Sequence, residues 1–262
     1  MAYWDKLTSR GNVDDRRGNT PRVLGGLGVG GILLVVVFNF LSGGSATDLL
    51  STLGQVSENT PEESVPLNDS YSAFAATVVG STDDYWTAYF NNKNLQYRAP
   101  TLVLFRNATQ SNCGGASSLA GPHYCPEDEK IYIDETFFEQ LQNQFGAGTA
   151  DVAQAYVIAH EVGHHVQRLL GTLQQGKSSV SVELQADCFA GLWANSIKDK
   201  GVFLPGEIKE ALDAASAVGD DNIQRKTGGS VNKETWTHGS SEARVNAFNT
   251  GFQSGNLSRC TF

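Results

Sequence analysis

The alternation of apolar and polar positions divides the chain into unequal stretches. From Val23 to Leu41 it reads VLGGLGVGGILLVVVFNFL, nineteen residues without a charge and with Asn39 as the one strongly polar side chain. A helix rising ~1.5 Å per residue needs ~20 apolar residues to cross the hydrocarbon of a bilayer. No polar residue recurs here at a 3.6-residue period, as it would on a soluble core helix. The pattern therefore predicts one transmembrane helix over 23–41. A cleaved signal peptide is the competing reading, with Gly44-Ser45-Ala46 as its small-residue site. The long polar leader, and an apolar run beyond the usual ~7 to 15 residues, count against it.

Residues 42–67 are rich in Ser, Thr, Gly, Pro and acids, which reads as a linker. A folded domain is then expected over 68–262. Tyr71, Phe74 and Val78, then Trp86, Tyr89 and Phe90, recur every three to four residues, which predicts a helix over 69–92. Thr101–Phe105 (TLVLF) and Lys130–Asp134 (KIYID) are short β-branched and aromatic runs, hence strands. Helices are expected at 135–145, 150–170, 178–199, 205–217 and 240–252. No internal repeat is visible, and this order of elements suggests an α+β domain, mostly helical with a small sheet.

Composition and charge narrow the function. With 40% hydrophobic, 10% aromatic and 18% charged residues in 262, the chain has material for a core, and wholesale disorder or a fibrous repeat is excluded. A net charge of −9 argues against a nucleic-acid partner, which needs a basic face to replace phosphate counterions. Residues 1–22 hold five cations (Lys6, Arg10, Arg16, Arg17, Arg22) against three acids, so that segment is +2 and the remainder −11. Three of those cations stand just before the apolar run. The positive-inside rule therefore makes 1–22 a cytoplasmic leader and puts the rest outside.

All four cysteines (Cys113, Cys125, Cys188, Cys260) follow the apolar run, as disulfides in an oxidising compartment would. Of the three possible pairings, which the sequence leaves open, Cys113 with Cys125 and Cys188 with Cys260 is the favoured one. Cys113, His123 and Cys125 as a second metal site would lack a fourth donor.

The residues that carry chemistry are His160-Glu161-Val162-Gly163-His164, inside AYVIAHEVGHHV. On a helix, positions i and i+4 share a face, so His160 and His164 can offer two imidazole nitrogens to one Zn²⁺, with Glu161 beside the metal to take a proton from its water. A catalytic zinc also needs a third protein ligand and an open position. SVELQADC supplies Glu183, 19 residues after His164, with Asp187 one turn further on the same face. Glu183 is the candidate third ligand, and Asp187 the acceptor for the other ring N–H of His160. Two carboxylates at i and i+4 repel unless each faces a cation. His165 is rotated about 100° from His164 on a helix and gets no role. Gly163 costs roughly 1 kcal/mol of helix propensity, which predicts close approach of another segment.

The segments AHEVGHHVQ, ELQADCFAGLWA, THGSSEARVNAF and CPEDEKIYIDETFF, with the leader GNVDDRRG, together resemble a bacterial family, the putative neutral zinc metallopeptidases, whose members often carry an amino-terminal membrane span. The resemblance runs over almost the whole chain apart from the linker. It implies a zincin-like fold of the Glu-ligand type, Zn²⁺ held by His160, His164 and Glu183, Glu161 as catalytic base, and a place at the bacterial cell membrane. Beside it, His238 in THGSS is a candidate hydrogen-bond donor to the oxyanion of a tetrahedral intermediate. Ser240 and Ser241 suit the N-cap of the last helix, which gives His238 an alternative structural role. Arg244 is expected to pair with an acid inside the domain.

These residues lead to a single-pass, membrane-anchored zinc endopeptidase with its catalytic domain outside the cytoplasm and a protein or peptide substrate. The strand Lys130–Asp134 is expected to pair, as an edge, with an extended substrate backbone. The rival from another class is a membrane-anchored scaffold or binding protein that keeps the zinc site and turns nothing over. A serine hydrolase is disfavoured by the absence of G-x-S-x-G.

Overall fold

In this computed structural model the described residues are 1–18, 69–117, 121–145, 150–173, 178–228 and 230–262. The apolar run 23–41 and the linker 42–67 lie outside them. No helix among the described residues is long and apolar enough to cross a membrane.

Four strands form the principal sheet: β1 (Asn12–Asp15), β2 (Thr101–Phe105), β6 (Lys130–Asp134) and β5 (His123–Cys125), side by side in that order. β1, β2 and β6 are parallel, and β5 runs antiparallel to β6. A hairpin of β3 (Ala108–Ser111) and β4 (Gly114–Ser117) projects beyond β2, and the Cys113–Cys125 disulfide ties its turn to β5. The helices are α1 (Ser70–Asn92), α2 (Thr136–Phe145), α3 (Asp151–Leu169), α4 (Ser179–Ile197), α5 (Ile208–Ala217), α6 (Asp220–Gly228) and α7 (Ser241–Ser254). The class is the expected one, α+β and mostly helical.

The position of β6 corrects one expectation. Lys130–Asp134 is internal, bonded to β2 on one side and β5 on the other, and has no free edge to offer a substrate. Its unbroken run KIYID, like TLVLF in β2, is what a strand covered on both faces requires; Ile131, Tyr132 and Ile133 are buried. The edge on the motif-helix side is β5.

The amino terminus corrects another. Residues 1–18, expected to stand apart as a cytoplasmic leader, belong to this fold. The backbone N–H of Ala2 and the indole of Trp4 both donate to Asp151 Oδ2 at 2.8 Å, in the first turn of α3. The indole of Trp4 stacks on Trp193. Gly11 crosses α1 at Gly80, where a Cβ on Gly80 would sit 2.6 Å from Arg10 N. Arg16 pairs with Asp14 at 2.7 Å. Arg17 is buried, bonded to Asp15 at 2.6 Å, Asp69 at 2.8 Å and Glu135. Arg16 and Arg17, two of the three cations that stand just before the apolar run, are thus ion-paired within the domain. Asp69, the first described residue after Gly18, stands beside Arg17.

Around this frame the helices build the core. α1 packs on β1, β2 and α3; α3 packs on α4 and α5; α4 packs along α7. The α4–α7 crossing is close because Gly191 and Gly251 face each other's backbones, a Cβ on either falling about 2 Å from the partner's carbonyl oxygen (2.1 Å from Phe248 O, 2.0 Å from Cys188 O). Asp69, Ser178 and Ser240 accept from backbone N–H groups in the first turns of α1, α4 and α7, supplying partners that helix ends otherwise lack. The second disulfide is Cys188–Cys260, so both favoured pairings are present.

Candidate metal centre

α3 carries the motif through the middle of the core. Val157, Ile158, Ala159, Val162 and Val166 are buried on its apolar sides, and His160 and Glu161 are buried with them. Gly163 meets α4 as its helix cost implied: a Cβ there would lie 3.0 Å from Ala186 Cα and O. This approach brings Glu183 over the two histidines. His160 Nε2 lies 3.2 Å from one Glu183 oxygen and His164 Nε2 lies 3.5 Å from the other. Among the described residues these three form a group able to hold a metal ion, with one ligating atom from each within 4.8 Å of the others. Four ligands around a zinc at ~2.0 to 2.1 Å would stand about 3.3 Å apart, so the donor set and the two His–Glu183 separations fit Zn²⁺.

Both histidines offer Nε2 because each Nδ1 is already committed. His160 Nδ1 meets Asp187 Oδ1 at 2.8 Å. Asp187 is fully buried and also accepts from the Tyr156 hydroxyl at 2.5 Å and from Arg244 Nε and Nη2 at 2.8 and 2.9 Å. Every neighbour is a donor, so Asp187 is an anion and His160 carries its proton on Nδ1. Burial alone would raise the Asp187 pKa, but the charge of Arg244, then that of His160, outweighs it and holds the carboxyl at about 2. Burial likewise opposes charge on His160, and Asp187 with Glu183 overcomes it, lifting the imidazole to about 10. Glu183 is held well below the usual carboxylate range: its burial is outweighed by the two imidazoles.

His164 is held differently. Its Nδ1 lies 2.9 Å from Gln167 Oε1. Gln167 Nε2 donates to Val182 O at 2.7 Å and to Gln185 Oε1 at 3.1 Å, and Gln185 Nε2 donates to Cys260 O at 2.9 Å. His165 faces away. Its Nε2 lies 2.6 Å from Arg98 O and its Nδ1 3.0 Å from the Tyr124 hydroxyl. A carbonyl only accepts, so Nε2 donates and Nδ1 receives from Tyr124. Burial lowers the His165 pKa, in keeping with this neutral form, which pins edge strand β5 to the motif helix.

The structure does not bring His238 into the three-residue group. It stands on the turn before α7, half-exposed, with Nδ1 3.3 Å from Asp220 Oδ1 and 2.9 Å from Thr237 Oγ1. Asp220 Oδ2 accepts the backbone N–H groups of Thr237, His238 and Gly239 at 2.9, 2.7 and 2.8 Å. Gly239, at φ +93°, lies against Val180 and Leu184, which flank Glu183 on α4. Cys113 and Cys125 are bonded to each other, which removes a second metal site at His123.

Sequence reasoning missed Tyr156, Gln167, Gln185 and Asp220. Two of them carried a signal: Tyr156 precedes His160 by four residues and Gln167 follows His164 by three, spacings that place side chains together on a helix. The α4 partner Gln185 and the Asp220 turn depend on tertiary contacts.

A family model described as "Putative neutral zinc metallopeptidase" matches residues 2–262. The uncharacterized protein YpfJ of Escherichia coli (strain K12) is 39% identical over 280 residues, spanning 98% of this chain and 97% of its own. The uncharacterized protein Rv2575 of Mycobacterium tuberculosis (strain H37Rv) is 46% identical over 182 residues, 63% of this chain and 62% of its own. No solved structure matches the chain. With its motif helix, an acidic third member of the group in Glu183 and a family match over nearly its whole length, the chain belongs to the putative neutral zinc metallopeptidase family, whose implied cofactor is Zn²⁺.

Proposed function

We propose that this protein is a zinc-dependent endopeptidase. The observation that carries the reading is the convergence of His160 Nε2, His164 Nε2 and Glu183, with both Nδ1 atoms already bonded to the protein. In this reading those three residues hold Zn²⁺, which when bound supplies an acidified water and polarises the scissile carbonyl. Glu161, adjoining His160 on the buried face of α3, takes the proton from the attacking water and returns it to the leaving amine. Asp187 holds His160 in the tautomer that leaves Nε2 for the metal. His238, held by Asp220, donates to the oxyanion from the turn beside Glu183's helix. An extended substrate adds to the outer edge of β5, the strand that His165 ties to α3.

The same reading places the enzyme at a membrane, with residues 1–18 and 69–262 on one side of it. The apolar run 23–41 supplies the contact. Two disulfides favour the oxidising side. The Arg17–Asp69 pair argues for return to the same side.

The test uses the full chain, because a protein beginning near Ser42 would lack β1. Parent and Glu161→Gln are compared for zinc content and for cleavage of an unfolded protein such as casein. The expected result is about one zinc per chain in both, with cleavage in the parent abolished by a chelator and at least 100-fold lower in the variant. Zinc in both with equal cleavage would remove Glu161 from the mechanism. Zinc in both with cleavage in neither would favour the scaffold.

A further inference from the structure

Two buried glutamines lie between the metal centre and the carboxyl terminus, and the mechanism above does not use them. Gln167 is fully buried and Gln185 is 6% exposed. An amide side chain can be turned either way, but here two backbone carbonyls decide. Gln167 has Val182 O at 2.7 Å, and a carbonyl can only accept, so the NH₂ group of Gln167 points there and its oxygen faces His164. Gln185 has Cys260 O at 2.9 Å, so its NH₂ group points to the carboxyl-terminal segment and its oxygen receives the second N–H of Gln167. The chain of bonds therefore has one direction. His164 Nδ1–H donates to Gln167, Gln167 to Gln185, and Gln185 to the carbonyl of Cys260.

That carbonyl needs its own support. The final segment is largely exposed, with Asn256, Ser258, Arg259, Thr261 and Phe262 all facing solvent. Cys260 is its buried residue, and it is bonded to Cys188, three residues beyond Gln185 on α4. Cys188 is also the neighbour of Asp187, which holds the other histidine.

We propose that Gln167 and Gln185 are positioning residues for His164, and that the Cys188–Cys260 disulfide governs how tightly the centre holds its metal by fixing the carbonyl on which their relay ends. The proposal rests on the zinc-ligand assignment made above. It does not require that the protein be a peptidase.

The experiment measures the Kd for Zn²⁺ of the full-length metal-free protein by competition with a chromophoric chelator. It compares the parent, Gln167→Met, Gln185→Met, the Cys188→Ala/Cys260→Ala pair, and the last two combined. Gln167→Met is expected to raise the Kd by about 10- to 100-fold, the usual effect of removing a ligand's supporting partner. Gln185→Met and the cysteine pair are each expected to raise it several-fold, and their combination no further than the larger of the two, since both cut one relay. Unchanged Kd in Gln167→Met would overturn the relay. Should that variant fail to fold, unchanged Kd in Gln185→Met would do the same. Multiplying effects of Gln185→Met and the cysteine pair would overturn the role of the disulfide, because independent losses of stability add. A parent that binds no zinc would overturn the ligand assignment itself, an outcome distinct from a parent that binds and variants that match it.

Discussion

The two histidines of the centre offer the same atom and are held by opposite means. His160 leans on a buried ionic cluster in which Asp187 and Arg244 are both almost wholly removed from water. His164 leans on two neutral amides in series, Gln167 and Gln185, each turned by one backbone carbonyl, Val182 O and Cys260 O. The ionic support gives a strong, short set of bonds, but an incomplete charge cluster inside a protein is costly, and its strength depends on protonation. The amide support is weaker bond for bond and does not titrate. One half of the site is thus held by charge and the other by chain geometry, and the two halves should fail in different ways.

The largest difference should come from removing one partner on each side. Arg244→Met leaves Asp187 buried without its bidentate cation, at an expected cost of about 3–5 kcal/mol of folding stability. Gln167→Met loses neutral hydrogen bonds and should cost about 1–3 kcal/mol. Urea unfolding of the metal-free proteins measures both. Arg244→Lys, which keeps the charge without the planar fork, should recover part of the loss. Equal losses in the two methionine variants would erase the contrast.

The second difference is in acid. The Asp187 carboxyl has a folded pKa of about 2 against 3.8 in the reference state. A depressed carboxylate contributes stability that is fully present above the unfolded value and is lost as pH falls toward the folded one, because the unfolded chain then binds the extra proton. The expected loss between about pH 4 and pH 2 is roughly 2 kcal/mol from this group. Asp187→Asn, less stable at neutral pH, should lose that part of the slope. Gln167→Met should keep it. A retained slope in Asp187→Asn would assign the acid sensitivity to other carboxylates.

Much of this was legible in the sequence, and the parts that were not share a cause. H-E-x-x-H and E-x-x-x-D are local patterns, and one helix suffices to align each, so spacing alone puts His160 beside His164 and Glu183 beside Asp187, and the structure brings the two pairs together. Arg244 was assigned to an unspecified acid, since only the α4–α7 crossing at Gly191 and Gly251 shows that the acid is Asp187. β2 and β6 were visible as continuous apolar runs, yet that same continuity marks covered strands, and reading β6 as an edge overlooked it. β1 was invisible: NVDD has one apolar residue and stands on the far side of the apolar run from its partner. Its charges suggested a leader because net charge carries no information about the pairing of Arg17 with Asp15, Asp69 and Glu135.

The smallest expected effect tests what gives the amide relay its direction. The Thr172 hydroxyl stands 3.2 Å from Gln185 Oε1, the atom that also accepts from Gln167. If this hydroxyl oriented the Gln185 amide, Thr172→Val would free it to turn, and the loss would pass through Gln167 to His164. The carbonyl of Cys260 makes that unnecessary. It fixes the NH₂ end of Gln185 whether or not Thr172 donates to the other end, and Gln167 still supplies one donor to the oxygen. Thr172→Val should therefore cost about 0.5–1.5 kcal/mol of stability, the net worth of one partly exposed hydrogen bond. It should leave the zinc Kd within about twofold of the parent, well short of the change expected for a supporting partner. A Kd shift as large as that of Gln185→Met would place the control of the relay in the Thr172 turn instead of the carboxyl-terminal carbonyl.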